Sequence, residues 1–91
     1  MQPLEEVIGS RNKIKILRFL SQNRDWQFNL SEISKKAGLD KGALSRLVKS
    51  LEKAGAIEVK RSGKLLLFRL NEGNKAIAKY VIPLFAKEAG R

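Results

Sequence analysis

Arg46, Lys49 and Lys53 recur at spacings of three and four residues, so a helix would carry them along one side. At about 100° per residue, Gly42 centres on the same direction, and Ser45 and Ser50 fall on its flanks. Lys41 heads the stretch. The chemistry these types offer is recognition of anions and base edges. A guanidinium at Arg46 can fork onto guanine or onto a phosphate. Lys49 and Lys53 are point charges for phosphates. Ser45 is short enough for a base edge at close approach. Gly42 weakens a helix. It serves either close backbone contact with a ligand or tight packing of a neighbouring helix. Leu44, Leu47, Val48 and Leu51 centre on the opposite direction, and would anchor the helix in a core.

More basic residues flank this set. Lys35 and Lys36 precede it, and Lys60, Arg61, Ser62 and Lys64 follow it. From residue 35 to 64 there are nine basic and three acidic residues, a net +6 of the chain's +10. A surplus this large implies an anionic partner. A merely solvated basic face is the plainer account. The concentration of charge on one continuous motif favours contact. For any single lysine here, simple exposure to solvent is an equal alternative.

Composition excludes other chemistries. The 91 residues contain no cysteine and no histidine, so neither a disulfide framework nor the usual zinc ligands exist. General acid–base work would rest on nine scattered carboxylates and the lysines. Glu5 and Glu6 are adjacent and would not face each other on a helix. No Gly-rich phosphate loop or nucleophile elbow is present. An enzyme is therefore not expected, and neither a cofactor nor a metal is. No apolar run approaches the roughly 18 residues of a membrane span. The first ten residues carry early acids instead of a basic stretch, so they do not read as a signal peptide. A cytoplasmic, nucleoid-associated protein is expected, without a membrane partner.

The elements that must position the basic face read as follows. One domain is expected over 1–91. Residues 3–8 can form a short helix through Leu4, Val7 and Ile8, and Ser10 can cap a helix over 11–23. That helix carries Ile14, Ile16, Leu17 and Leu20, with Phe19 turned towards a neighbouring element or a partner. Residues 23–25 suggest a turn, and 26–28 a short strand. Asn29 and Glu32 form a capping-box pattern for a helix over 30–37. Gly38 suits its left-handed end, Leu39 plugs the turn, and Asp40 caps the basic helix. That helix spans about 41–53 and stops at Gly55. Strands over 57–61 and 65–71 meet across Ser62-Gly63. On the second strand, Leu66, Phe68 and Leu70 share one side, and Leu65 and Leu67 share the other. Asn74 caps a final helix over 74–89, with Ile77, Val81, Leu84 and Phe85 as its stripe. Pro83 should kink or break it. The fold class is α+β and mostly α: a three-helix core, a β-hairpin wing and an extra C-terminal helix. Helix, turn, helix and hairpin is how a small protein offers a helix to the DNA major groove and a wing to the flanking backbone.

The segments KIKILRFL, NLSEISKKAGLDKGALSRLVKSLEKAGAIEV and GKLLLFRLN, within residues 13–71, resemble the winged helix-turn-helix regulators of bacteria and archaea. The match is to the broad group that includes the multiple-antibiotic-resistance and arsenic-repressor types. The shared pattern is carried by Lys41, Gly42, Leu44, Ser45, Arg46, Leu51, Glu52 and Gly55. The chain is also similar to small archaeal winged-helix modules that sometimes precede a nucleotidyltransferase domain. The resemblance implies transcription regulation by a homodimer on double-stranded DNA. It implies pairing outside the reading motif, where Leu4, Phe19, Tyr80, Val81, Leu84 and Phe85 are available. The alternative for the last helix is packing on the first to complete the core. Metal sensing of the arsenic type would need Cys or His. A second functional reading is a winged-helix module that contacts protein or RNA, suggested by the apolar Leu65 and Leu67.

Overall fold

The computed structural model describes residues 11–90, with side chains to residue 87. The expectations for 3–8, Leu4 and Ser10 lie outside the described residues. Helix α1 is Arg11–Gln22, α2 is Leu30–Ala37 and α3 is Lys41–Lys53. The hairpin is β1, Ile57–Ser62, and β2, Leu65–Leu70; a π-helical turn, Ile77–Val81, leads into α4, Ile82–Gly90. This is a winged helix, with α1, α2 and α3 packed against a two-stranded antiparallel wing.

Local chemistry sets most boundaries. At α2, the Asn29 side chain accepts from the Glu32 amide, and the Glu32 carboxylate accepts from the Asn29 amide, both at 2.9 Å. Gly38 ends the helix at φ 70°. Leu39 is buried against the core, and Asp40 begins α3 by accepting from the Ala43 amide at 3.1 Å. Helix α3 closes in a Schellman motif: Ala56 N–H donates to Leu51 O, and Gly55 N–H to Glu52 O, each at 2.9 Å. Gly55 stands at φ 80°, a conformation that strains other residue types.

The core joins all elements. Ile14, Ile16, Leu17 and Leu20 of α1 meet Ile33 of α2 and Leu44, Val48 and Leu51 of α3. Ile57, Phe68 and Leu70 close the wing's inner side, and Ile77, Val81 and Phe85 close the C-terminal side. The strand expected over 26–28 reduces to one bridge. Phe28 and Phe68 exchange both backbone hydrogen bonds, at 3.0 and 2.7 Å, while Trp26 is exposed. Phe19 is half-buried, and its ring packs on Phe28 at 4.7 Å between centroids.

Pro83 disturbs the last helix as expected, and the disturbance lies just before it. Proline cannot donate to a carbonyl four residues back, and its ring crowds that carbonyl. The chain widens to a π turn instead, where the Ile82 N–H reaches Ile77 O. Asn74 caps the segment through the amides of Ala76 and Ile77. Asn71 and Asn74 also donate to Gly55 O at 2.8 and 2.9 Å. These two amides tie the end of α3 to the wing base and the last helix, a link with no signal in sequence spacing.

Candidate nucleic-acid interface

Helix α3 is divided as its pattern requires. Leu44, Val48 and Leu51 are buried, and Leu47 is half-buried. Lys41, Gly42, Arg46, Lys49, Ser50 and Lys53 are exposed, and Ser45 is half-buried. The acids do not neutralise this face. Glu72 pairs with Arg24 at 3.3 Å and Arg69 at 3.5 Å, and Glu58 approaches Arg69 at 3.9 Å across the strands. Asp40 is occupied with the α3 cap. Among the described residues, Lys35, Lys36, Lys41, Arg46, Lys49, Lys53, Lys60, Arg61 and Lys64 carry no salt bridge. Unpaired cations keep their full field for an external anion.

The structure sorts the flanking cations. Lys41 and Lys64 border one open groove of about 270 Å³, together with Asn29, Leu30, Ser31, Leu65 and Leu66. That groove runs from the first turns of α2 and α3 to the wing tip. Lys36 borders a different groove, between α1 and α2, beside Lys15 and Arg18. It therefore stands apart from the Lys41–Lys64 groove. Lys60, Arg61 and Ser62 are exposed on the wing.

Gly42 loses one of its two accounts. A Cβ built there meets no atom of α2 within 4 Å; its neighbour is the Asp40 carboxylate at 3.1 Å. Helix packing therefore does not require the glycine. Gly42→Ala is expected to change thermal stability by at most about 1 kcal/mol, because the gain in helix propensity is offset by crowding of the Asp40 carboxylate that caps α3. If the glycine serves close approach, titration of the variant with duplex DNA shows weaker binding. Unchanged affinity would remove the close-approach role.

The C-terminal residues also separate. Val81 is buried, and Phe85 is 1% exposed beneath the Arg18 guanidinium, 5.3 Å from the ring centroid. Both belong to the core of the single chain, the alternative set beside pairing for the last helix, and Phe19 of α1 is half-buried on Phe28. Burial against α1 takes up most of the apolar surface of Val81 and Phe85. Tyr80, 64% exposed, and Leu84 remain on the surface. Tyr80 also edges an apolar cleft of about 520 Å³, lined mainly by Leu17, Leu51, Ala54, Ile77 and Val81. Sequence reading found no such cleft, because it forms between three elements distant in the chain. Among the described residues, no cluster of acidic side chains is placed to hold a metal. No described helix is long and apolar enough to cross a membrane.

Comparison with known proteins decides the family. The model of the MarR family matches residues 10–64, which spans α1, α2, α3 and the first half of the hairpin. The chain belongs to the MarR family. MarR-family winged-helix proteins are DNA-binding transcription regulators and not enzymes. Comparison with curated proteins gives no significant match. Among solved structures, reduced HlyU from Vibrio cholerae is 19% identical, with a TM-score of 0.71 over 97% of this chain and 86% of that one. MepR, a transcription regulator of the Staphylococcus aureus multidrug efflux pump MepA, is 15% identical. Its TM-score is 0.73 over 96% of this chain and 65% of that one. The winged-helix domain of Mb0332 from Mycobacterium bovis is 20% identical, with a TM-score of 0.65 over 93% and 70%. At these identities the likeness is one of fold.

Proposed function

We propose that this MarR-family chain is a sequence-specific double-stranded DNA-binding transcription regulator, with α3 in the major groove. The observation that carries the proposal is the exposed face of α3, where Arg46, Lys49 and Lys53 have no ion-pair partner among the described residues. In this reading Arg46 reads a base edge or clamps a phosphate, Lys49 and Lys53 hold phosphates, and Ser45 sits close to the groove floor. The wing, 57–71, lies on the flanking backbone or in the minor groove through Lys60, Arg61, Ser62 and Lys64. Lys35 and Lys36 add contacts at the edge. The protein acts on the chromosome, and so belongs with the nucleoid.

A homodimer completes the proposal. The similar domain of Mb0332 is described as homodimeric. Among the described residues, the interface candidates that remain on the surface are Tyr80 and Leu84, with Tyr80 beside the apolar cleft. Selection of bound duplexes from random DNA, with sizing of the complex, tests both parts. A palindromic site with half-sites about one helical turn apart is expected for a symmetric dimer. Affinity should fall steeply with salt, by about one log unit per log of salt for each phosphate neutralised. Failure to enrich any duplex at about 50 mM salt would end the DNA reading. The second reading, a module for protein or RNA, draws on the exposed Leu65 and on Leu66; Leu67 is half-buried. Capture of a stable protein partner without duplex binding would favour it.

A further inference from the structure

The wing tip presents an unexpected surface. Leu65 is 52% exposed and Leu66 is 38% exposed, next to Lys64 and directly across from Ser62 and Arg61 in the strand register. Strand parity places Leu66 on the same side as the buried Phe68 and Leu70. The wing extends past the core, so Leu66 has nothing beneath it to complete its burial. It turns instead into the groove that Leu30, Ser31, Lys41 and Lys64 also line. The groove thus has an apolar lining of Leu30, Leu65 and Leu66, with cations contributed by α3 and by the wing.

The geometry points to a deoxyribose seat: Leu66, with Leu30, packs on a sugar of the DNA backbone whose neighbouring phosphates are held by Lys41 and Lys64, and Leu65, on the other face of the strand, borders the seat at the wing tip. Charge and polarity both select this occupant. A backbone strand alternates phosphate anions with a sugar whose carbon edge is apolar. The groove offers the same alternation in complement. A protein partner would have to bring carboxylates to Lys41 and Lys64 and an apolar side chain between them. DNA supplies both along every strand. The seat also discriminates by chemistry. A ribose 2′-hydroxyl pressed on leucine loses water and gains no hydrogen-bond partner, which is costly. The wing tip would therefore favour DNA over RNA at one nucleotide while adding little salt dependence of its own. This inference rests on the DNA-binding reading above.

The test is a scan of single ribonucleotides through the flank of a selected DNA duplex, which leaves the charge of each phosphate intact. One position is expected to weaken binding of the unaltered protein about tenfold, the scale of one desolvated hydroxyl. The same substitution should cost Leu65→Ser/Leu66→Ser little, because a serine hydroxyl can accept or donate to the ribose. That variant should bind all-DNA duplex more weakly than the unaltered protein, with the same slope of affinity against salt. Lys64→Ala, by contrast, should lower the slope by about one for each subunit bound. If no ribonucleotide position weakens the unaltered protein, or if the penalty persists in the serine variant, the seat does not exist. A protein that binds no duplex at all fails the DNA reading itself, which the all-DNA control reports separately. Both leucines are exposed, so the variant should fold, and the scan on the unaltered protein is decisive without it.

Discussion

Arg46→Ala combined with Lys49→Ala is expected to weaken binding to a selected duplex by about a hundredfold or more while leaving the fold intact. A bidentate arginine on guanine accounts for about 1–3 kcal/mol of discrimination, equivalent to roughly five- to 150-fold. Loss of the Lys49 charge removes one phosphate contact and lowers the salt slope by about one. In a symmetric dimer both losses occur twice on each site. Stability should move by no more than about 0.5 kcal/mol, since both side chains are exposed and alanine favours a helix. Mobility shift at two salt concentrations, with circular dichroism of the free protein, measures all of this. If the double variant keeps both affinity and sequence preference, α3 is not the reading helix.

Phe85→Ala should be the most damaging single change at the C-terminal end. The ring is buried and stacked under Arg18, and truncating such a phenylalanine costs about 3–5 kcal/mol. Loss of the cation–π contact adds about 0.5–1 kcal/mol where the cation is partly solvated. A small domain has only about 5–15 kcal/mol to lose. Chemical denaturation should therefore show a large drop in midpoint. The drop should be similar at all protein concentrations, because the contact lies within one chain. Tyr80→Ala makes the contrast: its ring is exposed, so its effect should grow on dilution if it pairs two subunits. A Phe85→Ala protein that stays fully folded and merely dissociates would return Phe85 to the interface.

Much of the reading motif was legible because its determinants are local. Asn29 and Glu32 cap α2 across three residues, Gly38 ends it, and Asp40 begins α3. Each needs only a few neighbours in the chain. Helical periodicity separated Leu44, Val48 and Leu51 from Arg46, Lys49 and Lys53 for the same reason. The failures share a different cause. A stripe of apolar residues on a helix says that the face is covered, and not by what. The stripe of Val81 and Phe85 favours an interface, with packing on α1 as the alternative, and their burial within the single chain follows the alternative. Leu66 had the correct parity for burial, yet parity carries no information on how far the core extends under the wing. Lys36 and Lys41 are both basic and close in sequence, yet they border different grooves.

By itself, then, the amino-acid sequence determined the helices, their caps, the hairpin, the family pattern and the outward basic face of α3. These follow from hydrogen bonds and periodicities that span a few residues. Only the tertiary structure decided which members of that face stand together. It removed α2 packing as the reason for Gly42 and returned Phe85 to the core. It also brought Lys41, Lys64 and the exposed leucines of the wing to one groove. Those outcomes depend on distances between elements far apart in the chain, which no local pattern encodes.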